Sequence, residues 1–321
     1  MTANPEFRLF DLGMNPEFTQ KIADQLGVPV SPVDVKQFAD HEIYERIVES
    51  VRGIDVYVVA PIADPVNDSF MKLMIFIDAA KRTSAKSINV VVPYMGYARS
   101  DRKTRSREPI SARLVANMLQ SQRVKRVMTM DLHTPQVQGF FDIPVDHLIA
   151  MPAQVDFLEK EGTVGEDVVC VASGPSTLKL VRRLAEEIGA HWAIIDSDRD
   201  PNTEARVTGK VEGLHAIIVS DMIDTGQTTI KAASAVKKAG ASSIDALTTH
   251  PVLSGDTAQK LQESDLDRVI VTDTINVPER KNFDELQTIS VAHLFAAGIQ
   301  RVIEHRSMAD VLKSNGTRKE G

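Results

Sequence analysis

Cysteine is nearly absent: Cys170 stands alone in 321 residues, which excludes an internal disulfide and suits a reducing compartment. Its surroundings, DVVCVAS, form an apolar strand pattern that predicts a buried, inert thiol rather than a nucleophile. Positive charge is also short. With 37 Lys and Arg against 44 Asp and Glu the formal net charge is -7, so no electrostatic argument favours nucleic acid or an anionic membrane as a partner. Basic clusters can still bind small phosphates locally. No apolar run approaches the length of a membrane span, no signal-peptide pattern opens the chain, and no DNA-binding motif occurs. These absences predict a cytoplasmic protein.

What is present is ordinary globular composition, 43% hydrophobic and 25% charged, in a chain long enough for two domains of about 150 residues. Val- and Ile-rich runs such as DVYVVA, SINVVVPY, RVMTMD, HWAIID, HAIIVSD, SSIDALTTH and DRVIVTDT read as buried strands. Amphipathic segments alternate with them, including NPEFTQKIADQLG, where Asn15 is the expected N-cap and Gly27 the stop. This alternation predicts an α/β fold with mostly parallel sheets. A weak repeat, RVMTMDLHTPQ and AIIVSDMIDTGQTT, gives each half an apolar strand, an acid and a polar turn opening a helix. The joint is placed at residues 142–152, where two prolines interrupt the pattern. The expected domains are 1–148 and 149–293, with a C-terminal helix at 294–310 packing on the first and a frayed tail beyond.

Three stretches carry candidate chemistry. In DMIDTGQTT, a strand end leads into a helix whose free N–H groups suit a phosphate. Asp221, Asp224, Thr225, Gly226 and Thr228 fit that use, whereas Ser220 and Gln227 stand where a phosphopentose site wants a second carboxylate and a glycine. A helix end capped by Asp224 and Thr225, without ligand, is the alternative. The loop after VVPYMGY carries Arg99, Arg102, Lys103, Arg105 and Arg107, which could clamp polyphosphate or form a solvated charge run. His133 follows a strand end, where an imidazole can meet a metal ion or a phosphate.

Together FADHEIYERIVESVRG, NVVVPYMGYARSDRKTRSREPISARLVAN, DLHTPQVQGFFDIPVDHL, SDMIDTGQTT and THPVLSG resemble the ribose-phosphate diphosphokinase, or phosphoribosyl pyrophosphate (PRPP) synthetase, family. The resemblance implies two phosphoribosyltransferase-type domains and Mg-dependent transfer of the ATP diphosphoryl group to ribose 5-phosphate. It also implies homo-oligomers, dimers or hexamers. By the same resemblance Phe38, Asp40, His41 and Glu42 form an adenine-side loop, and Arg99, Ser100 and Asp101 bind nucleotide, with Ser100 replacing an amide. His133 is metal-associated, and Asp221 to Thr228 form the pentose-phosphate turn, Gln227 included. Arg52, Arg82, Ser84, Arg102 and Arg105 resemble an intersubunit regulatory site for phosphate and ADP.

Departures cluster in the pentose and catalytic half. Gly174 replaces a metal-binding aspartate, Ser197 replaces the catalytic lysine, Asp198 places an acid beside the remaining catalytic Arg199, and the flap is a few residues short. Losing one such cation costs on the order of 10²- to 10³-fold in rate. A positive φ at Gln227 would add about 1 kcal/mol of strain. The expectation is a weakly active or inactive regulatory or structural subunit that binds Mg with ATP or ADP. It would assemble with itself or with an active paralogue. The alternatives are a working synthetase with a compensated loop and a stand-alone nucleotide sensor.

Overall fold

The computed structural model describes residues 7–196, 206–308 and 311. Ser197, Asp198, Arg199 and the C-terminal tail lie outside the described residues. Two compact units emerge, one from the residues through Ile149 with Thr274–Asn276 and the segment from Val291, the other from Ala150–Asp273 with Val277–Ser290.

The first unit runs β1 (Phe7–Asp11), α1 (Pro16–Leu26), β2 (Val30–Ser31), β3 (Val33–Gln37), β4 (Ile43–Ile47), β5 (Asp55–Val59), α2 (Val66–Arg82), β6 (Ser87–Val92), α3 (Ser111–Ser121), β7 (Arg126–Met130), a 3₁₀ turn (Pro135–Phe140) and β8 (Val145–Leu148). Six parallel strands order as β2-β1-β5-β6-β7-β8. Every residue of β6 is buried, as a strand covered on both faces requires. Gly27 ends α1 in the left-handed conformation, but the Asn15 side chain makes no capping bond. Asp11 ties this corner instead, accepting from the Gly13 N–H and the Thr19 hydroxyl. The first copy of the repeat opens a 3₁₀ turn of six residues rather than an α-helix.

β3 and β4 form an antiparallel hairpin outside the sheet, with β4 packed on α2. Its inward face includes Glu45, 7% exposed, and neither carboxylate oxygen has a hydrogen-bond partner among the described residues. Burial pushes its carboxyl up to about 8, against the opposing pull of Lys72.

The second unit contains α4 (Met151–Glu161), β9 (Val168–Ala172), α5 (Leu178–Ile188), β10 (His191–Asp196), β11 (Arg206–Thr208), β12 (His215–Ile223), α6 (Gln227–Lys238), β13 (Ser243–Pro251), α7 (Thr257–Gln262), β14 (Arg268–Thr272) and β15 (Leu286–Ile289). Its seven strands order as β11-β10-β9-β12-β13-β14-β15, all parallel except β11. Cys170 lies fully buried in β9, and burial pushes its thiol up to about 12, which makes it inert at neutral pH. At the start of the central strands, Asp245 accepts from Arg268 at 2.6 and 3.0 Å and faces His215 at 3.0 Å. Burial pushes this carboxyl up, but the hydrogen bonds from His215 and Arg268 outweigh it and hold it below the ordinary range. The last helix, α8 (Ala292–Ile303), belongs to the first unit and packs on α1 through Phe18 and Phe295, whose rings lie 5.5 Å apart. No helix among the described residues is long and apolar enough to cross a membrane.

Glu45 supplies a stability test. Its folded value, about 8, lies above the ordinary 4.5, so folding favours the protonated acid and stability falls as pH rises between those values. Glu45→Gln, followed by denaturant unfolding, should match the parent near the lower pH and exceed it by about 4 kcal/mol near the upper one.

Candidate functional site

In the second unit the chain reverses direction between β9 and β12: β10 and β11 lie to one side of this pair and β13 to β15 to the other. Ligands of open parallel sheets bind beyond the carboxyl ends of strands at such a reversal. The register Ala172↔Val219 brings the two strand ends together. Two sequence-predicted turns therefore flank one crevice, Ser173–Thr177 after β9 and Asp221–Thr228 at the end of β12 and into α6.

The second turn is rigidly braced. Asp224 offers its carbonyl to the Ser254 N–H at 3.0 Å and to the Thr257 hydroxyl at 2.9 Å. Gly226 takes φ 72°, and an added Cβ there would stand 3.0 Å from the Thr257 methyl, so only glycine fits without displacement. Gln227 is the first residue of α6 and is not among the residues with positive φ. The strain anticipated at Gln227 is absent, because Gly226 takes the left-handed position. The N-cap position of α6 is Gly226 itself, rather than Asp224 or Thr225. Thr225 and Thr228 are exposed at this helix start, where the first-turn N–H groups have no partner within the helix. Ser220 donates its hydroxyl to Thr248 Oγ1 at 3.1 Å, inside the strand pair. Gly174 is half-buried, with open space where a Cβ would stand.

The first unit gathers a different set at the ends of β6, β7 and β8. Ser100 ties the basic loop to α3, its carbonyl accepting the Ala112 N–H at 3.1 Å. Glu108 accepts the N–H groups of Thr104 and Arg105 and the Thr104 hydroxyl, bonds that hold its carboxyl below the usual range. Arg102, Lys103, Arg105 and Arg107 are exposed around this internal anchor. Asp101 accepts from Thr134 Oγ1 at 2.6 Å, which joins the basic loop to the turn carrying His133; His133 and Arg99 are both exposed. A residue that sequence reasoning missed sits behind this turn: His147 Nε2 accepts the Leu132 N–H at 2.9 Å, while Nδ1 lies 3.1 Å from the Gln138 amide. Its only sequence signal was its place in VDHL after a short apolar run. Asp131, at φ 37°, completes the tight turn.

The adenine-side residues stand elsewhere in the unit, on the β3–β4 hairpin tip. Phe38 N–H bonds the Glu42 carbonyl at 2.8 Å, Asp40 accepts the Glu42 N–H at 3.1 Å, and His41 takes φ 71°. Phe38 is 54% exposed and rests edge-on against Tyr44. Of the regulatory set, Arg52 and Ser84 are brought together by the bridge between Arg52 and Ala85 and by the Gly53 N–H on the Ser84 carbonyl. Arg82 is turned to Asp78 at 2.6 Å, and Arg102 and Arg105 are carried by the basic loop. Phe141 is buried in the unit's own core, and Phe140 packs against that core under Arg113.

Residues 7–122 match the N-terminal domain of ribose phosphate pyrophosphokinase, and residues 167–313 match the phosphoribosyl synthetase-associated domain. The chain is 44% identical over 314 residues to ribose-phosphate pyrophosphokinase 2 of Enterococcus faecalis, covering 97% of each. It is 44% identical to ribose-phosphate pyrophosphokinase 1 of Streptococcus pneumoniae, covering 95% of this chain and 96% of that one. The chain belongs to the ribose-phosphate pyrophosphokinase family. In three dimensions it is similar to the phosphoribosylpyrophosphate synthetase of Mycobacterium smegmatis, with a TM-score of 0.88 and 39% identity over 93% of this chain and 99% of that one.

Within this pyrophosphokinase fold, the described residues contain no group of three His, Cys, Asp or Glu side chains that could cage a metal ion. Magnesium rarely needs such a cage, since one or two carboxylates and substrate phosphates hold it. Asp221 and Asp224, on the phosphate turn, fit that pattern.

Two substitutions probe this construction. Gly226→Ala should cost about 1–2 kcal/mol in thermal or denaturant unfolding, from its left-handed backbone and the Thr257 contact. His147→Leu should cost about 1–3 kcal/mol through the orphaned Leu132 N–H. Burial lowers His147 below its ordinary 6.5, so its stabilising effect is complete above that pH and declines as pH falls. That decline should be missing in His147→Leu when unfolding is followed across this range.

Proposed function

We propose that this chain binds a magnesium nucleotide through its first unit and acts as a regulatory or structural subunit with little or no diphosphoryl transfer of its own. It does so as a homo-oligomer, dimer or hexamer, or together with an active paralogue. One observation carries the reading: at the β9–β12 switch point, Gly174 presents no side chain and Ser220 directs its hydroxyl into the sheet. The pentose side thus lacks two carboxylates that the resemblance calls for.

The family reaction forms a bond between O1 of ribose 5-phosphate and the β-phosphorus of ATP and breaks the bond from that phosphorus to the oxygen bridging to the α-phosphate, releasing AMP. Such transfer depends on positioning and on cations around the moving group rather than on covalent help. Magnesium, when bound, neutralises phosphate charge. The protein's own share falls to the amides of α6, the hydroxyls of Thr225 and Thr228, and Arg199. Ser197 offers no cation, and Asp198 adds negative charge beside Arg199. On the nucleotide side, Arg99, Asp101 and His133 remain, with Asp101 bonded to Thr134 next to His133. The competing reading is a competent synthetase; the braced turn from Asp221 to Thr228 and the 44% identity to named pyrophosphokinases favour it.

Calorimetry should find MgATP or ADP bound more tightly than ribose 5-phosphate; the reverse order contradicts the proposal. In an assay of PRPP formation, the parent should run about 10²-fold or more below a relative's turnover. Ser197→Lys with Asp198→Arg should recover part of it. Adding Gly174→Asp, for which the backbone has room, and Ser220→Asp should raise turnover more than additively, because the residues act on one transition state. Parent turnover at a relative's level, abolished by Arg199→Ala, would establish the working synthetase instead.

A further inference from the structure

The chain's single tryptophan, Trp192 on β10, is 44% exposed, although large aromatic side chains at strand positions are normally covered. Beside it lies a groove of about 750 Å³ along the outer face of α5, lined by Lys179, Arg182, Arg183 and Glu186, with Pro175 at its other end. The Arg182 guanidinium stands 5.2 Å above the indole ring. Among the described residues, none of the three cations takes part in an ion pair. Three positive charges against one carboxylate make a local excess in a chain of net charge -7. That excess is arranged around a flat π surface, and the volume lies within the usual range for small-molecule sites.

We propose that this groove is a binding site for a nucleoside polyphosphate. The base stacks on the Arg182–Trp192 pair, a planar cation on a planar ring that gives a third ring a face to join. The phosphates meet Lys179 and Arg183, which stand four residues apart on one helical face and so present two cations side by side. Phosphate alone would satisfy the cations and leave the indole unused. A nucleoside alone would use the indole and leave the cations without an anion. The site is carried by the second unit, whereas the nucleotide residues Phe38 to Glu42 and Arg99 to Asp101 belong to the first. Nothing in the proposal depends on whether the family reaction proceeds.

Because Trp192 is the only tryptophan, intrinsic emission reports this groove without background from another indole. The full chain is titrated with ADP, and then with adenosine, inorganic tripolyphosphate and ribose 5-phosphate. A saturable emission change is expected with ADP, at an affinity about tenfold or more above that of each fragment. Arg182→Ala and Arg183→Ala, both at exposed positions, should weaken ADP by about tenfold each while circular dichroism stays unchanged. Arg99→Ala should leave this titration in place, which separates a local signal from one transmitted from the first unit. An unaltered emission with ADP overturns the proposal. So does tripolyphosphate acting as well as ADP, or an ADP signal that survives Arg182→Ala and Arg183→Ala but is lost in Arg99→Ala.

Discussion

The parallel pairing of β9 with β12 is the constraint on which the second unit's site depends. Residues far apart in sequence become neighbours only because Ala172 registers with Val219 and the chain departs to opposite sides of this pair. The strands are apolar on both faces, and every residue of β9 is buried, so a register shift would expose nothing useful and unpair much. The crevice is thus a by-product of hydrophobic burial. What it can do is decided separately, by the few residues in the turns above it.

Charge divides the two units in a complementary manner. In the first, a run of cations is organised by an acid: Glu108 holds the loop backbone and leaves the arginines outward. Repulsion within the run is therefore opposed by hydrogen bonds to a carboxylate rather than by a ligand. In the second, the turn around Gly226 offers amides and hydroxyls at the start of α6, neutral donors that the positive end of a helix strengthens toward an anion. Binding a phosphate needs no more than this. Stabilising a diphosphoryl group in flight needs full charges held close to it, and neither Ser197 nor Asp198 carries a positive one.

Long features were legible in the sequence, and short ones were not. Continuous Val and Ile runs announced β5, β6, β9, β12, β13 and β14, because a buried parallel strand needs apolar residues on both faces. β8 escaped notice because VDHL is four residues with a histidine among them, and its place in the sheet comes from pairing with β7. The β3–β4 hairpin escaped for another reason: its strands bury little, so alternation is faint, and Glu45 occupies an inward position. The turn from Asp221 to Thr228 was legible as a strand leading into a helix, whereas the sequence left open whether Gln227 has a positive φ. The structure gives that conformation to Gly226, where Thr257 approaches closely. His147 had little signal beyond its place in VDHL, since its role is to accept one backbone N–H from a turn fifteen residues earlier in the chain.

Fold and chemistry are therefore carried by different residues, and this is why the pentose side can change while the architecture persists. Gly174 borders open space, and the Ser220 hydroxyl bonds Thr248 within the strand pair, so neither residue belongs to the apolar core around Val169, Val171 and Ile218. Gly226 is the counterexample. It serves both purposes at once, setting the start of α6 and admitting Thr257 at close range, so it cannot drift without a cost in stability. Packing alone is thus enough to hold this glycine in place, whatever chemistry the turn carries. Retention of a phosphate-shaped loop is consequently weak evidence for transfer chemistry, and the charges flanking the loop are the stronger guide.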